Sequence, residues 1–362
     1  MAESPRSLLP VLPLLPVLPL LPLLEVRDLV KHFPLPHTLL AAALRRPPEK
    51  VRAVDGVSFA LPRGKTLGLV GESGCGKSTL GRCILRLHDA DSGEVRVDGV
   101  DLMRLGEDAL IPYRKRMQVV FQDPYASLNP RQRVGATLRE VLEVHGIGAR
   151  AERGPRVEHL LVQVGLQPAD ARKYPGEFSG GQRQRIGIAR ALAVEPELLI
   201  ADEPLSALDV SIQAQILQLL LDLRTSLGLT MIFISHDLRV VRYLSDEVAV
   251  MYLGQIVERA PTAALFARPQ HPYTMALLSA MPEVGGARHE TVPIEGEPPS
   301  AVRVPPGCRF HPRCPWKEDR CLRQPPELKE LLPGHSVACH VAADRLAAGD
   351  LADTLVPLRP RS

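Results

Sequence analysis

The sequence predicts an α/β fold built on a parallel sheet, and three apolar runs carry that prediction. They are Thr66-Leu67-Gly68-Leu69-Val70, Leu198-Leu199-Ile200-Ala201-Asp202 and Thr230-Met231-Ile232-Phe233-Ile234-Ser235. Continuous rather than alternating hydrophobicity marks strands buried on both faces, as parallel strands are. After the first run, Leu80, Ile84, Leu85 and Leu87 recur at helical spacing, giving the strand–turn–helix order of a crossover unit. Such sheets place ligands beyond the carboxyl ends of their strands. The residues just past positions 70, 202 and 235 are therefore the first to weigh.

Composition bounds the rest. The chain has 362 residues, a formal charge of +3 with both signs mixed, and only 4% aromatic residues. No basic block offers a nucleic-acid footprint, and few rings are available for base stacking. A mean hydropathy near zero excludes a polytopic membrane protein, and the 45% apolar share excludes a mainly disordered one. Proline divides the chain, with 6 of the 35 in residues 1–24, 13 in 25–260 and 16 in 261–362. The expected organisation is a tail over 1–24, a main domain over 25–260, an extension over 261–345 and a second tail over 346–362. Cys75 and Cys83 lie early, whereas Cys308, Cys314, Cys321 and Cys339 cluster late. No cleavable secretory signal accompanies them, which points to a reducing compartment rather than disulfides.

Residues 8–24 are uncharged and apolar, with Pro10, Pro13, Pro16, Pro19 and Pro22 at every third position. Each proline removes a backbone donor, so a bilayer helix would lose a hydrogen bond per turn. A period of three matches polyproline II. A disordered low-complexity extension is expected, a membrane-surface anchor is the alternative, and no role is assigned.

Gly71-Glu72-Ser73-Gly74-Cys75-Gly76-Lys77-Ser78-Thr79 fits the G-x-x-x-x-G-K-[ST] pattern between a strand and a helix. Backbone N–H groups and the positive end of the helix dipole there surround anionic oxygens. Lys77 is expected to reach the β- and γ-phosphates, and the Ser78 hydroxyl to ligate Mg²⁺. Cys75 sits where a helix N-terminus favours thiolate, yet tolerance of a small side chain explains it more simply. Asp202, ending the second run, is expected to hold Mg²⁺ through water. Glu203, next on the loop, is placed to orient and polarise the attacking water. His236, after the third run, repeats the pattern of apolar strand then polar residue and suits a γ-phosphate sensor.

Phe178-Ser179-Gly180-Gly181-Gln182 is more selective. Ser179 is a good N-cap, residues 182–192 read as the helix beginning there, and two glycines allow close backbone approach, giving a second anion-binding helix start. It lies over a hundred residues from the first. Two chains arranged head to tail can bring both to one nucleotide.

These elements resemble the ATP-binding-cassette ATPases. The likeness runs through residues 71–79, Gln122 of Val120-Phe121-Gln122, the Ser179–Gln182 stretch, the Asp202-Glu203 pair, Ser206-Ala207-Leu208-Asp209 and His236, in family order over roughly residues 25–260. It implies a RecA-like parallel sheet, a small antiparallel β subdomain near 25–62 and 93–100, and a helical insertion near 123–180. It further implies that Gln122 contacts Mg²⁺ and senses the γ-phosphate. Ser179 and Gly181 bind the nucleotide of the opposing subunit, Asp209 lies at the subunit contact, and an aromatic stacks on adenine. Phe33 is the candidate for that ring, where the family more often has Tyr. A loop is inserted near residues 38–50.

Phe121-Gln122-Asp123-Pro124-Tyr125-Ala126-Ser127-Leu128-Asn129-Pro130-Arg131 and His271-Pro272-Tyr273-Thr274 resemble the dipeptide/oligopeptide/nickel importer branch. This implies a peptide-transporting ATPase at the cytoplasmic face of the membrane. Its partners would be a second, nonidentical ATPase subunit, two permeases and, through them, an extracytoplasmic binding protein. Nickel or metal-chelate import and an accessory ATPase of a cytosolic enzyme complex are the alternatives. A soluble ATPase of nucleic-acid repair or ribosomes would call for tandem cassettes or a long coiled coil between the motifs, and this sequence has neither.

The four late cysteines follow Cys308-x5-Cys314-x6-Cys321-x17-Cys339. Structural zinc usually uses shorter knuckles, while iron–sulfur ligation needs four thiolates and tolerates varied spacing. Arg303, Arg309, Arg313, Lys317, Arg320 and Arg323 would offset an anionic cluster. The importer branch carries such a C-terminal pattern, and the resemblance implies a structural [4Fe–4S] cluster, with zinc or reduced cysteines as alternatives.

Overall fold

The computed structural model describes residues 22–35, 49–123, 125, 128–206, 208–281 and 296–349. The proline-rich stretch up to residue 21, most of the 38–50 insertion, Pro124, Ala126, Ser127, Ala207 and the tail from 350 lie outside the described residues.

Four strands form an antiparallel sheet: β1 (Leu24–Pro34), β2 (Lys50–Leu61), β4 (Ser92–Val97) and β5 (Val100–Asp101) in the order β2-β1-β4-β5. The first strand takes in the end of the leucine-rich tail: Leu23 and Leu24 are fully buried, and Leu24 pairs with Leu61 and Val97. With no proline after Pro22 until Pro34, these leucines are free to join a ladder.

The central sheet contains β3 (Thr66–Val70), β6 (Met117–Val120), β7 (Leu198–Asp202), β8 (Thr230–Ile234), β9 (Glu247–Tyr252), β10 (Gln255–Pro261), β11 (Lys329–Leu332) and β12 (His335–Val337). Its order is β11-β12-β10-β9-β3-β8-β7-β6. Five strands, β9-β3-β8-β7-β6, run parallel, and β10, β12 and β11 continue the sheet antiparallel. The three apolar runs are thus β3, β7 and β8, adjacent in the middle. Alternate side chains enter two different cores. Leu199, Ala201, Met231 and Phe233 face one, while Leu198, Ile200, Ile232 and Ile234 face the other. The two-sided burial explains why these strands read as unbroken hydrophobic sequence.

Around the sheet lie α1 (Lys77–Ile84), α2 (Glu107–Arg116), α3 (Val134–Val144), α4 (Arg153–Gln163), α5 (Gly180–Leu192), α6 (Val210–Leu227), α7 (Leu238–Leu244), α8 (Thr262–Ala267), α9 (Pro272–Ser279) and α10 (His340–Ala347). The helices α3 and α4 share a core with α5 through Leu138, Leu142, Leu160, Leu161 and Ile186. The antiparallel sheet packs on the opposite side with α1. Four charges tie that sheet to the central one: Arg63 pairs with Glu197 at 2.5 Å and Asp98 at 2.5 Å, and Arg116 pairs with the same two carboxylates. Arg116 above all, with Arg63, holds the Glu197 carboxyl down at about 2.

A buried carboxylate joins the last elements. Glu258 of β10 is fully buried and accepts from the Gln270 N–H at 2.7 Å, the His271 N–H at 2.9 Å and His335 Nε2 at 2.7 Å. His271 caps α9, its Nδ1 accepting from the Tyr273 N–H at 3.1 Å. Burial holds the His271 imidazole down at about 4, with Glu258 only partly offsetting. The folded state keeps this ring neutral while an unfolded chain protonates it near its ordinary value. Its contribution is therefore complete above about pH 6.5 and is lost as pH falls toward 4. Urea midpoints should drop from pH 7 to pH 5 more in the unaltered protein than in His271→Asn, which keeps an oxygen for the cap but cannot titrate. Equal drops would show that His271 does not carry the acid sensitivity.

Candidate active site

The turn after β3 is shaped by glycine. Gly76, the N-cap of α1, has φ +108°, and a Cβ there would lie 1.9 Å from the Ala53 carbonyl oxygen. At Gly71, a Cβ would lie 2.2 Å from the Met251 carbonyl oxygen. Neighbouring backbone thus forbids side chains at both ends of the turn, while Gly74, at φ +79°, has open space. Glycine meets both demands, positive φ and close approach. Lys77 is buried, and its Nζ donates to the Gly71 and Glu72 carbonyls at 2.8 and 3.0 Å. Its ammonium therefore sits within the turn. Ser73 is exposed and Thr79 half-buried. Cys75 is buried, and desolvation raises its thiol despite Lys77 beside it, so it stays protonated and fills space as a small side chain.

Ser78 Oγ donates to Asp202 Oδ1 at 2.7 Å. A hydroxyl and a carboxylate brought together at the end of β7 are the ligand types that Mg²⁺ takes. Burial pushes the Asp202 carboxyl above its ordinary value, an arrangement that a bound cation would reverse.

Glu203 follows immediately, with φ +47°, a left-handed conformation that costs a non-glycine residue about 1–2 kcal/mol. Its N–H is held by the Ile234 carbonyl at 3.0 Å. Gln122 Nε2 donates to Glu203 Oε2 at 3.3 Å, and His236 Nδ1 lies 3.4 Å from the same oxygen. Residues 122, 203 and 236 meet because they follow β6, β7 and β8, three neighbouring parallel strands. A carboxylate flanked by an amide and an imidazole can position a water and accept its proton.

Ser179 caps α5 with a reciprocal pair: its Oγ accepts from the Gln182 N–H at 3.3 Å, and Gln182 Oε1 accepts from the Ser179 N–H at 3.0 Å. Gly180 is exposed. A Cβ at Gly181 would lie 2.4 Å from Ile212 of α6, so this helix start packs against the one that follows Asp209. Among the described residues, no hydrogen bond joins residues 179–182 to residues 71–79. Phe33 is half-buried, with the His88 ring edge-on at 5.6 Å and Lys31 Nζ 5.3 Å from its centroid.

Sequence reasoning missed the tethering of Glu72. Its N–H donates to the Tyr273 hydroxyl at 2.8 Å, and its carboxylate accepts from Arg313 Nη1 at 3.1 and 3.0 Å. Both partners lie more than 200 positions downstream, and no local pattern links them to the turn.

The late cysteines are free thiols. Burial pushes the Cys314 and Cys339 thiols up to about 12 and raises Cys308, with the neighbouring cysteines adding to the shift. They therefore lie within electrostatic range of one another. Cys308 and Cys314, however, pack against the main apolar core. Among the described residues, no three His, Cys, Asp or Glu side chains converge as a metal-holding group. The expected iron–sulfur ligand set is not supported by this geometry.

Comparison with known proteins shows the family. Residues 54–206 match the family described as ABC transporter, and residues 257–321 match that described as oligopeptide/dipeptide transporter, C-terminal region. The chain is 51% identical to the oligopeptide transport ATP-binding protein AppF of Bacillus subtilis, over 88% of this chain and 96% of that one. It is 47% identical to the dipeptide transport ATP-binding protein DppF of Haemophilus influenzae, over 86% and 94% respectively. Among solved structures, a dimeric post-hydrolysis state of the ATP-binding cassette MJ0796 bound to ADP and Pi superposes with a TM-score of 0.58. That pair shares 27% identity over 66% of this chain and 98% of the other.

The two glycines make a contrasting pair. Gly74→Ala should cost about 1 kcal/mol, the left-handed penalty alone. Gly76→Ala, blocked by backbone as well, should cost ~3 kcal/mol or more. Thermal unfolding of both variants checks this, and equal losses would contradict the clash.

Proposed function

The chain belongs to the ATP-binding-cassette ATPases, among the ATP-binding subunits of peptide transport, and from that premise we propose that it hydrolyses ATP to power import of dipeptides and oligopeptides through partner transmembrane permeases. One observation carries the catalytic part: Gln122 and His236 converge on Glu203 beside the Ser78–Asp202 pair. In this reading Lys77 and the backbone of residues 71–79 hold the phosphates, and Ser78, Asp202 and Gln122 serve Mg²⁺. Bound Mg²⁺ would neutralise charge on the phosphates. Glu203 takes the proton of the attacking water, His236 reads the γ-phosphate, and Gln122 links the site to the helical insertion. Phe33 would pack on adenine.

Each site is completed by a second subunit. The signature of residues 179–182 has its hydrogen bonds within its own helix start, which leaves its outward face for a nucleotide held elsewhere. A partner subunit, nonidentical in this reading, contributes its own signature to the nucleotide on this chain, with Asp209 near the contact. Closure of the pair moves two permeases, and hydrolysis reopens it. Among the described residues, no helix is long and apolar enough to cross a membrane; in this reading the permeases supply the spanning segments. The subunit then sits at the cytoplasmic membrane face, and cargo arrives from an extracytoplasmic binding protein. The peptide-transport match over residues 257–321 favours this reading over an accessory role in a cytosolic complex.

The iron–sulfur expectation for Cys308, Cys314, Cys321 and Cys339 rests on their number and spacing. Anaerobic purification followed by metal analysis tests it. A cluster returns iron and acid-labile sulfide in equal amounts, whereas stoichiometric zinc without iron excludes it.

Glu203→Gln should bind MgATP yet lose turnover by roughly a hundredfold or more, since the general base is gone while the phosphate contacts remain. The variant should also accumulate as a closed dimer, visible by size-exclusion chromatography with MgATP. Phosphate release at the normal rate would remove Glu203 from its role. Lys77→Ala should instead weaken nucleotide binding itself.

A further inference from the structure

Residues 308–314 fasten the C-terminal segment to the surroundings of the phosphate-binding turn at three points. Arg309 ion-pairs with Asp55 and donates to the Leu253 carbonyl. Phe310, 2% exposed, fills a box of Tyr252, Tyr273 and His271, with ring centroids 5.4, 5.5 and 5.7 Å away. Arg313 donates from Nη1 to both Glu72 carboxylate oxygens and, at 3.5 Å, to the Tyr252 hydroxyl. The Arg313 side chain is 8% exposed and that of Glu72 25%, so the arginine covers a carboxylate that is still partly open to solvent.

Glu72 is an awkward residue for its position. A carboxylate within a turn that receives phosphates repels them, and the turn's remaining attraction comes from Lys77 and backbone dipoles. Arg313 neutralises that carboxylate from outside the cassette's own motifs. Tyr273, fully buried, fixes the Glu72 N–H, while the Glu72 carbonyl accepts from Lys77 Nζ. All three polar groups of Glu72 are therefore held, two of them from beyond residue 270.

We propose that Arg313 and Tyr273 are positioning residues for nucleotide binding: the C-terminal segment tethers Glu72 and cancels its charge so that the turn presents a net positive cradle to the phosphates. The extension is then part of the ATP site of its own chain. This rests on nucleotide binding at residues 71–79 as proposed above and is independent of the cargo.

Calorimetric titration of the purified full chain with MgADP tests both levels separately. Binding by the unaltered chain tests the nucleotide reading, and its absence overturns both. Arg313→Ala should bind MgADP roughly tenfold more weakly, as expected for uncovering a part-buried charge beside an anionic ligand. The gap should narrow in about 0.5 M salt. Glu72→Gln combined with Arg313→Ala should recover most of the lost affinity, because the repelling charge is then gone. Arg313→Lys, which keeps a cation and gives a second route if the alanine variant folds poorly, should stay within about twofold of the unaltered protein. Tyr273→Phe should weaken binding by a few-fold, through loosened geometry alone. Unchanged affinity in Arg313→Ala, or a double variant no tighter than the single one, would overturn the proposal. A merely structural role for Arg313 predicts no rescue by removing a charge elsewhere.

Discussion

Parallel pairing of β8 between β3 and β7 is the constraint on which the rest depends. Its register sets Thr66 against Met231 and Leu198 against Thr230, so the three strands end at nearly one level. With β6 paired to β7, four strand ends deliver residues 71–79, Gln122, Asp202, Glu203 and His236 to one edge. No other geometry brings together groups separated by up to 165 positions of chain. The apolar residues inside the strands have no chemistry of their own, yet their burial on both faces fixes the level at which the polar residues emerge. Even the left-handed Glu203 follows from this, since its N–H must reach the Ile234 carbonyl on the adjacent strand.

Much of this was legible beforehand, for physical reasons that differ by element. The strands β3 and β7 were read to the residue because continuous burial leaves continuous hydrophobicity. The start of α5 is legible from Ser179 as N-cap, and the structure adds the reciprocal bond from Gln182. The small antiparallel sheet was placed by family resemblance rather than by its own pattern, and its first strand reaches into the leucines assigned to the tail. What could not be read is long-range and polar. Glu258 binding His335, Arg309 binding Asp55 and Arg313 binding Glu72 pair residues whose neighbours in sequence give no hint of them. The cysteine spacing is a different case: four thiols in 32 residues suggest a ligand set that the structure does not support, since Cys308 and Cys314 pack against the apolar core.

The helical insertion and the β sheet edge solve different problems. α5 packs its glycine-rich start on α6, and the helices α3 and α4 brace it, so the signature is rigidly displayed at a distance from the turn of residues 71–79 in the same chain. In the proposed two-subunit site, a ligand divided between two separately rigid surfaces would close it by moving whole bodies rather than by refolding loops. Free energy from the ligand is then available as displacement, which is what a subunit driving another protein requires.

The buried Glu258 has a consequence for how this polypeptide can be cut and recombined. Three segments on the two sides of the sequence boundary near residue 260, β10 before it and the start of α9 and β12 beyond it, share one dehydrated carboxylate. A truncation after the last cassette strand strips it of every partner at once and leaves an uncompensated anion in the sheet's interior. The cassette of this protein is therefore not a detachable engine. Grafts between related chains should carry the imidazole and amide partners of Glu258 along with it, which makes the junction near residue 260 a poor place for a crossover.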